Sequence, residues 1–409
     1  MKQPSCRISG APLVNVLDFG QQPLGNGFLL PERFADEYFY PMKTGFCESS
    51  MMFQLLEQPA LDKMFHEHYA FYSSTSSFME RHFGNFAQQL MKSKFLASPD
   101  PFVVELGCND GIMLKNFVDA GIRHLGIEPS RNVAEVANSL GVRTLSEFFC
   151  PDVAEKIVRE HGQANAFLAA NVMCHIPDIS GVVEGIRTLL KPDGVVMFED
   201  PYLGDVVEKI SYDQIYDEHV FLFSAHSIRH LFGLHGMELI DVQPQITHGG
   251  SMRYILSHAG AHPINESVPT LIAKEATLGL HRQETFDVFR KRVEKSREDL
   301  VSLLRGLKLK GKRIAGYGAT SKSTTILNYC GIGSETIEYI SDTTPIKQGK
   351  FTPGMHIPVK SYDAFLNNPP DYAILFAWNH AEEIMTKEKN FMQSGGRWIV
   401  HVPKVQVLG

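Results

Sequence analysis

No stretch of this 409-residue chain approaches eighteen uninterrupted apolar residues, so no membrane span is expected. Its opening, Met1-Lys-Gln-Pro-Ser-Cys6, lacks the apolar core of a secretory leader, and no signal peptide is expected. Positive charge is not in excess: 39 Lys and Arg stand against 46 Asp and Glu, a net charge of −7, which excludes a general nucleic-acid surface. Cysteine is sparse. Six thiols spread over the chain argue for reduced cysteines and a cytoplasmic setting. What remains, 44% hydrophobic and 21% charged, is ordinary globular composition with length for two or three domains.

Residues 1–65 are also short of long apolar runs. Turns are frequent there (Gly10-Ala-Pro, Gln22-Pro-Leu-Gly, Leu30-Pro), so the segment reads as a small module that needs a staple or a neighbour. Its thiols are Cys6 and Cys47, and each is followed three residues later by serine, Ser9 and Ser50. Two C-x-x-C knuckles would form a four-thiolate zinc site; two C-x-x-S pairs offer hydroxyls, which are poor zinc ligands, so zinc is not expected to bind tightly.

Residues 66–100 mix aromatics with hydroxyls before a helix expected from about Phe78 to Phe95. Most of the hydroxyls suit its N-cap. Tyr69 and Tyr72 stand in a run too polar for a core, which makes them candidates for a site.

From residue 101 to about 260 strands and helices alternate, as in a doubly wound parallel sheet. The expected strands are Phe102–Leu106, Arg123–Ile127, Ala166–Ala170, Gly194–Asp200, Met237–Gln243 and Arg253–His258. The unit is organised around Val103-Val-Glu105-Leu-Gly107-Cys-Asn109-Asp-Gly111: a strand, a glycine turn and a helix start. The second strand ends in Glu128, roughly twenty residues further on, where an acid can bond ribose hydroxyls. A pyrophosphate would meet Asn109 and Asp110 unfavourably. A cationic nucleoside such as S-adenosylmethionine suits them. Asn171 follows another strand, close to His175, and Glu199-Asp200-Pro-Tyr202 ends a third; chemistry in this fold concentrates at such carboxyl ends.

Residues 263–308 read as connecting helices, with Leu300, Leu303, Leu304 and Leu307 at helical spacing. Residues 309–409 repeat the strand, glycine turn and helix as Lys312-Arg-Ile-Ala-Gly316-Tyr-Gly318-Ala-Thr-Ser-Lys322, with Asp342 ending the second strand and Trp378-Asn379-His380 following the third. Lys322 at a helix start suits a phosphate.

The densest polar knot is Tyr212-Asp-Gln-Ile-Tyr216-Asp-Glu218-His219. Tyr-x-Glu-His brings a phenol, a carboxylate and an imidazole within reach of one site, with histidine as general base and the carboxylate raising its basicity. The alternative is a partly buried histidine paired with Glu218 for structure alone. A third loop, Thr247-His248-Gly-Gly-Ser-Met-Arg253, sets backbone N–H groups beside an imidazole and a guanidinium, suited to a pyrophosphate or sugar oxygen, or forms a plain glycine hairpin.

Taken together, E-L-G-C-N-D-G (105–111), F-E-D-P-Y-L-G-D (198–205), D-Q-I-Y-D-E-H (213–219), H-G-G-S-M-R (248–253), G-Y-G-A-T-S-K-S (316–323), D-T-T-P-I-K-Q (342–348) and F-A-W-N-H-A-E-E-I (376–384) resemble the nucleotide-sugar C-3 methyltransferases of deoxysugar biosynthesis, in particular the tetronitrose-pathway type. The resemblance spans nearly the whole chain. It implies a small N-terminal zinc-module-like domain, a central class I methyltransferase Rossmann-like sheet over 66–262, and a second Rossmann-like domain that helps hold a nucleotide sugar, typically dTDP-linked with a 4-keto group. It also implies S-adenosylmethionine as cofactor, His219 as base, and Tyr216, Glu218 and His175 in support. The family's further tyrosine is matched by Tyr72 or Tyr69. Cofactor contacts fall to Glu105, Gly107, Asn109, Gly111, Glu128 and Asn171. Substrate contacts fall to Tyr69, His248, Arg253, Lys322, Asp342, Asn379 and His380. Zinc would rest on Cys6 and Cys47, but Ser9 and Ser50 replace the family's other two cysteines.

Three rival classes fit less well. A nicotinamide-dependent oxidoreductase would use Gly316-Tyr317-Gly318, but Ser321 takes the place of the last fingerprint glycine. A non-catalytic metabolite sensor does not need the ionisable groups of 212–219. An O- or N-methyltransferase of small molecules is the nearer rival, since it requires only a hydroxyl or amine to lose a proton.

Overall fold

The computed structural model describes residues 4–60 and 77–409 and contains three sheets. The N-terminal sheet pairs Val14–Pro23, Phe39–Cys47 and Met52–Leu55 in antiparallel order. Its fourth strand, Phe221–Leu222, comes from the segment just after His219, so the N-terminal unit is bound to the candidate base by backbone pairing. Sequence reasoning did not foresee this strand. Two residues carry too little periodicity to register.

The central sheet has seven strands, in spatial order Met237–Gln245, Ser251–His258, Leu190–Pro201, Ala164–Ala170, Phe102–Leu106, Arg123–Ile127 and Thr144–Leu145. Phe102–Leu106 is buried along its whole length, as a strand covered on both faces must be. The expected all-parallel sheet needs correction. Ser251–His258 runs antiparallel to both its neighbours, because a tight turn rather than a crossover helix joins it to Met237–Gln245. The helix expected to reach Phe95 covers Ser77–Met91, and Ser93 caps a separate short turn, Lys94–Leu96. Two helices follow the sheet, Ser267–Leu278 and Gln283–Leu309. The second buries Phe286, Phe289, Val293, Leu300, Leu304 and Leu307 at the spacing of one helical stripe.

The C-terminal sheet runs Val359–Lys360, Ile340–Ser341, Ile314–Tyr317, Tyr372–Leu375 and Arg397–Val400 in parallel, with Gln406–Leu408 closing the edge antiparallel. Its helix Ser321–Cys330 is held at the start by a reciprocal Thr320–Ser323 capping box and is almost wholly buried.

The units share one apolar core. Phe19, Tyr40 and Phe46 from the first, Tyr212 and Ile215 from the second, and Ile326, Tyr329 and Ile340 from the third fall in a single cluster. At its centre Phe19, Tyr212 and Tyr329 meet, with ring centroids 4.9 to 6.5 Å apart. This three-way seat fixes the segment 212–219 between the two Rossmann-like sheets. No helix among the described residues is long and apolar enough to cross a membrane.

Candidate active site

The first glycine turn adopts three left-handed residues, Gly107 (φ +65°), Asn109 (φ +49°) and Gly111 (φ +82°). A β-carbon on Gly107 would stand 2.4 Å from Val172 Cγ2, and one on Gly111 2.9 Å from Val142 Cγ2. Packing therefore demands these glycines as strongly as any ligand would. Glu128 Oε2 accepts from the Asn109 amide (3.1 Å) and Oε1 from the Ser130 amide (2.9 Å). Glu105, Asp110 and Glu128 are buried together. Burial, and then the charges of Glu128 and Asp110, hold Glu105 well above the ordinary carboxylate range; burial raises Glu128 against its amide hydrogen bonds. Glu105 Oε2 and Asn171 Oδ1 are buried and find no hydrogen-bond partner among the described residues. Such atoms are costly unless something fills them. A ligand with hydroxyls and positive charge answers both the orphaned oxygens and the crowded acids, so these residues fit S-adenosylmethionine.

The segment 212–219 lies at the carboxyl end of the same sheet. His219 Nδ1 stands 2.6 Å from the Gln214 carbonyl oxygen, and Nε2 stands 2.7 Å from Tyr216 Oη. A carbonyl can only accept, so Nδ1 carries the proton and Nε2 presents its lone pair, to which the Tyr216 hydroxyl donates. The His175 ring lies alongside, 5.3 Å between centroids. Burial, and then His175, drive His219 well below the usual imidazole value; burial alone brings His175 down to about 4. Both rings are therefore neutral near pH 7.

Glu218 departs from expectation. It does not touch the His219 ring; its Oε1 accepts from Asn26 Nδ2 of the N-terminal unit (2.9 Å). The ring is oriented by a backbone carbonyl instead. Cys174, His175 and His219 bring three potential metal donor atoms within 4.8 Å of one another, but both nitrogens of His219 are already engaged by Gln214 and Tyr216. Tyr69 and Tyr72 lie outside the described residues.

The expected substrate contacts divide. Arg253 needs correction: it faces Glu199 directly across the antiparallel pair and bonds it at 3.0 Å, with Gln89 on its other side and the Phe86 ring beneath. Glu199 also holds His82 and Thr247, so this is a buried internal network rather than a free anion site. Asp342 is likewise committed, accepting from the Ala319 and Thr344 amides at 2.7 Å each. Lys322 is buried and donates to the His248 carbonyl (3.3 Å), a carbonyl that also accepts from Gln214 Nε2. Burial brings Lys322 down to about 8. Burial, and then the field of Lys322, lower His248 to about 3. The loop at 247–250 closes an antiparallel hairpin between Met237–Gln245 and Ser251–His258 through a short 3-10 turn in which His248 takes φ +54°. Trp378 packs on Gly249 and donates Nε1 to Asp213 Oδ2 at 2.6 Å. Burial pushes the Asp213 carboxyl up, but His401, Lys322 and Trp378 hold it below the ordinary range. Asn379 lines a cleft with Asp205, Lys209 and Gly250, and His380 is partly exposed beside it.

In the N-terminal unit the four knuckle positions do converge. Cys6 Sγ lies 3.1 Å from Ser50 Oγ, and Ser9 Oγ lies 3.4 Å from Cys47 Sγ and 3.1 Å from Ser49 Oγ. Two thiols and two hydroxyls that bond one another do not fit a tetrahedral zinc site.

Residues missed from the sequence include Gly25, Asn26, Asp213 and Gln214. Pro-Leu-Gly-Asn-Gly signals only a turn, and nothing local ties it to partners 192 residues away.

Family models match three consecutive stretches: a putative zinc binding domain over residues 6–65, a methyltransferase domain over 79–242 and a C-methyltransferase C-terminal domain over 246–403. The fold and the cofactor turn thus define an S-adenosylmethionine-dependent methyltransferase. Over 406 residues the chain is 36% identical to C-methyltransferase NovU of Streptomyces niveus, covering 98% of this chain and 96% of that one. It therefore belongs to the C-methyltransferase family. A ubiquinone biosynthesis O-methyltransferase of Ralstonia nicotianae is 31% identical over 98 residues, 24% of this chain and 41% of that one. Among solved structures, an S-adenosylmethionine-dependent methyltransferase from Anabaena variabilis is similar with a TM-score of 0.34 and 19% identity, covering 42% of this chain and 83% of that one.

Proposed function

We propose that the protein methylates C-3 of a 4-keto-deoxyhexose carried on a nucleotide, dTDP in the first instance, through an enolate formed by His219. The observation that carries this reading is the tautomer of the base. A buried, neutral imidazole donates Nδ1–H to the Gln214 carbonyl and keeps the Nε2 lone pair for a proton. Carbon is a poor methyl acceptor until it loses a proton, and the C-4 ketone acidifies the C-3 hydrogen. Methylation at carbon cannot proceed without such a base; a hydroxyl also has to lose a proton, so the atom that carries the new methyl separates the two classes.

The residues then take the following parts. The Tyr216 hydroxyl either turns away from Nε2 or passes on its own proton as it accepts the one from C-3. By either route the proton ends on Nε2. The imidazolium so formed keeps its Gln214 hydrogen bond. His175 and Tyr216, which flank His219, are the side chains suited to donate to the enolate oxygen at C-4. Glu105, Asn109, Glu128 and Asn171 hold the cofactor, which supplies an electrophilic methyl group on its sulfonium. The Asn379 and His380 segment beside the loop 247–250 is suited to grip the far end of the sugar nucleotide, and anchoring both large reactants supplies most of the remaining rate. Localisation in the cytoplasm agrees with six reduced thiols.

His219→Asn is expected to lower kcat at least about a hundredfold, the loss typical of a general base. The product should carry its new methyl on a quaternary carbon by NMR. Wild-type kcat in that variant would remove His219 from the role, and a methyl on oxygen or nitrogen would replace the reaction class.

A further inference from the structure

The turn Leu24–Gly27 of the N-terminal unit reaches into the segment that carries the base. Gly25 donates its amide to Asp217 Oδ1 (3.0 Å), and its carbonyl accepts from Thr324 Oγ1 of the C-terminal domain (2.9 Å). A β-carbon at this position would stand 2.8 Å from Asp217 Oδ1 and 3.2 Å from Ser321 Cβ, so only glycine lets the three units close here. The next residue, Asn26, donates its side-chain amide to Glu218 Oε1 at 2.9 Å. Two consecutive residues of the first unit thus hold the two residues that precede His219.

The turn they hold is tight. The His219 amide donates to the Tyr216 carbonyl (3.0 Å) and the Val220 amide to the Glu218 carbonyl (3.1 Å). A displacement at 217–218 is therefore delivered to the imidazole on one side and the phenol on the other. Glu218 has little else to hold it. It is buried, its oxygen meets Asn26, and among the described residues the opposite charge acting on it is that of Lys347 from the C-terminal domain. A buried carboxylate that loses its hydrogen-bond donor must move or take up a proton.

We propose that Asn26 is a positioning residue for methyl transfer, acting through Glu218 to hold the His219–Tyr216 pair in its reactive geometry. This rests on the reading of His219 as the base. It gives the N-terminal unit a part in the reaction that neither its zinc-module resemblance nor the methyl-donor fold assigns.

The test compares the full chain with Asn26→Ala, Glu218→Ala and the double variant, using dTDP-4-keto-6-deoxyglucose and S-adenosylmethionine. The side-chain signals of His219 are followed in parallel by 15N NMR of histidine-labelled protein. Asn26→Ala should lower kcat about tenfold with both KM values within about twofold, as expected for lost alignment. Affinity for S-adenosylhomocysteine should stay near wild type, and Tm should fall by no more than the several degrees that losing one donor to a buried carboxylate costs, which excludes misfolding. The double variant should be no slower than the slower single one, because both changes cut the same link. The His219 signals should shift in Asn26→Ala. Unchanged His219 signals, or losses that multiply in the double variant, would overturn the proposal. If His219→Asn keeps wild-type turnover, the base assignment falls instead. The NMR signals need no turnover and still decide whether Asn26 positions the ring.

Discussion

The chain carries the same local motif twice, and the two copies have different surroundings. In each, a strand runs into a glycine turn and an acid ends the next strand. In each, that acid accepts two backbone amides: Glu128 from Asn109 and Ser130, Asp342 from Ala319 and Thr344. Around Glu128 stand two more buried acids and two orphaned oxygens, on Glu105 and Asn171. Around Asp342 the charge is answered from within. Lys347 lies in its field and donates to the Ala319 carbonyl, and Lys322 at the helix start is turned to the His248 carbonyl. The first turn is built short of positive charge and donors, and so awaits a ligand that brings both. The second is already balanced, and the elements that follow it meet residues 213–215, where Thr325 donates to the Ile215 carbonyl and Trp378 to Asp213. A glycine turn thus declares its role less by its own sequence than by the polar accounts its neighbours leave open.

The sharpest way to break this comparison is to remove each acid in turn. Glu128→Ala should weaken S-adenosylhomocysteine about a hundredfold by isothermal titration, the loss of two hydrogen bonds to a charged acceptor. Asp342→Ala should leave that affinity within about twofold. Equal losses would make the two turns equivalent and end the distinction. A smaller effect tests the Trp378 contact. Trp378→Phe removes a donor from buried Asp213, which should cost about 1–3 kcal/mol and lower Tm by several degrees, while S-adenosylhomocysteine still binds normally. An unmoved Tm would show that Asp213 does not depend on this contact.

Titration sharpens the same point. Burial raises Glu128, so its charged form gives way to the neutral one at higher pH than for an exposed carboxylate. The cationic cofactor favours the charged form. Its affinity should therefore be full above the raised value and fall as pH drops through it, sooner than an ordinary glutamate would predict. A profile that falls only where an ordinary exposed glutamate titrates would contradict this.

The knuckle of the N-terminal unit is a third case, in which thiols and hydroxyls satisfy one another. Ser9→Cys with Ser50→Cys should recover one zinc per chain by metal analysis with little change in kcat, whereas the natural chain should bind none tightly. Tight stoichiometric zinc in the natural chain would show that the two hydroxyls suffice.

The central strands and the cofactor turn were legible because strong periodicity, a glycine turn and an acid twenty residues on are all local signals. Tyr216 and His219 were legible for the same reason, being three residues apart. The orientation of the ring was not. It depends on the backbone carbonyl of Gln214, which every residue type possesses. Arg253 was misread because its partner is set by register. Once Ser251–His258 runs antiparallel to Leu190–Pro201, Arg253 must face Glu199, and the assumed parallel sheet concealed that pairing. Asn26 lies 192 residues from its partner, beyond any pattern in a single sequence.

The seat formed by Phe19, Tyr212 and Tyr329 has a consequence for how such an enzyme can be recombined. Each ring belongs to a different unit, so a unit exchanged between relatives leaves behind two thirds of a cluster shaped for the missing third. A chimaera with a foreign central or C-terminal domain would have to inherit its matching N-terminal ring as well. The three parts look modular along the chain, but as material for recombination they travel together.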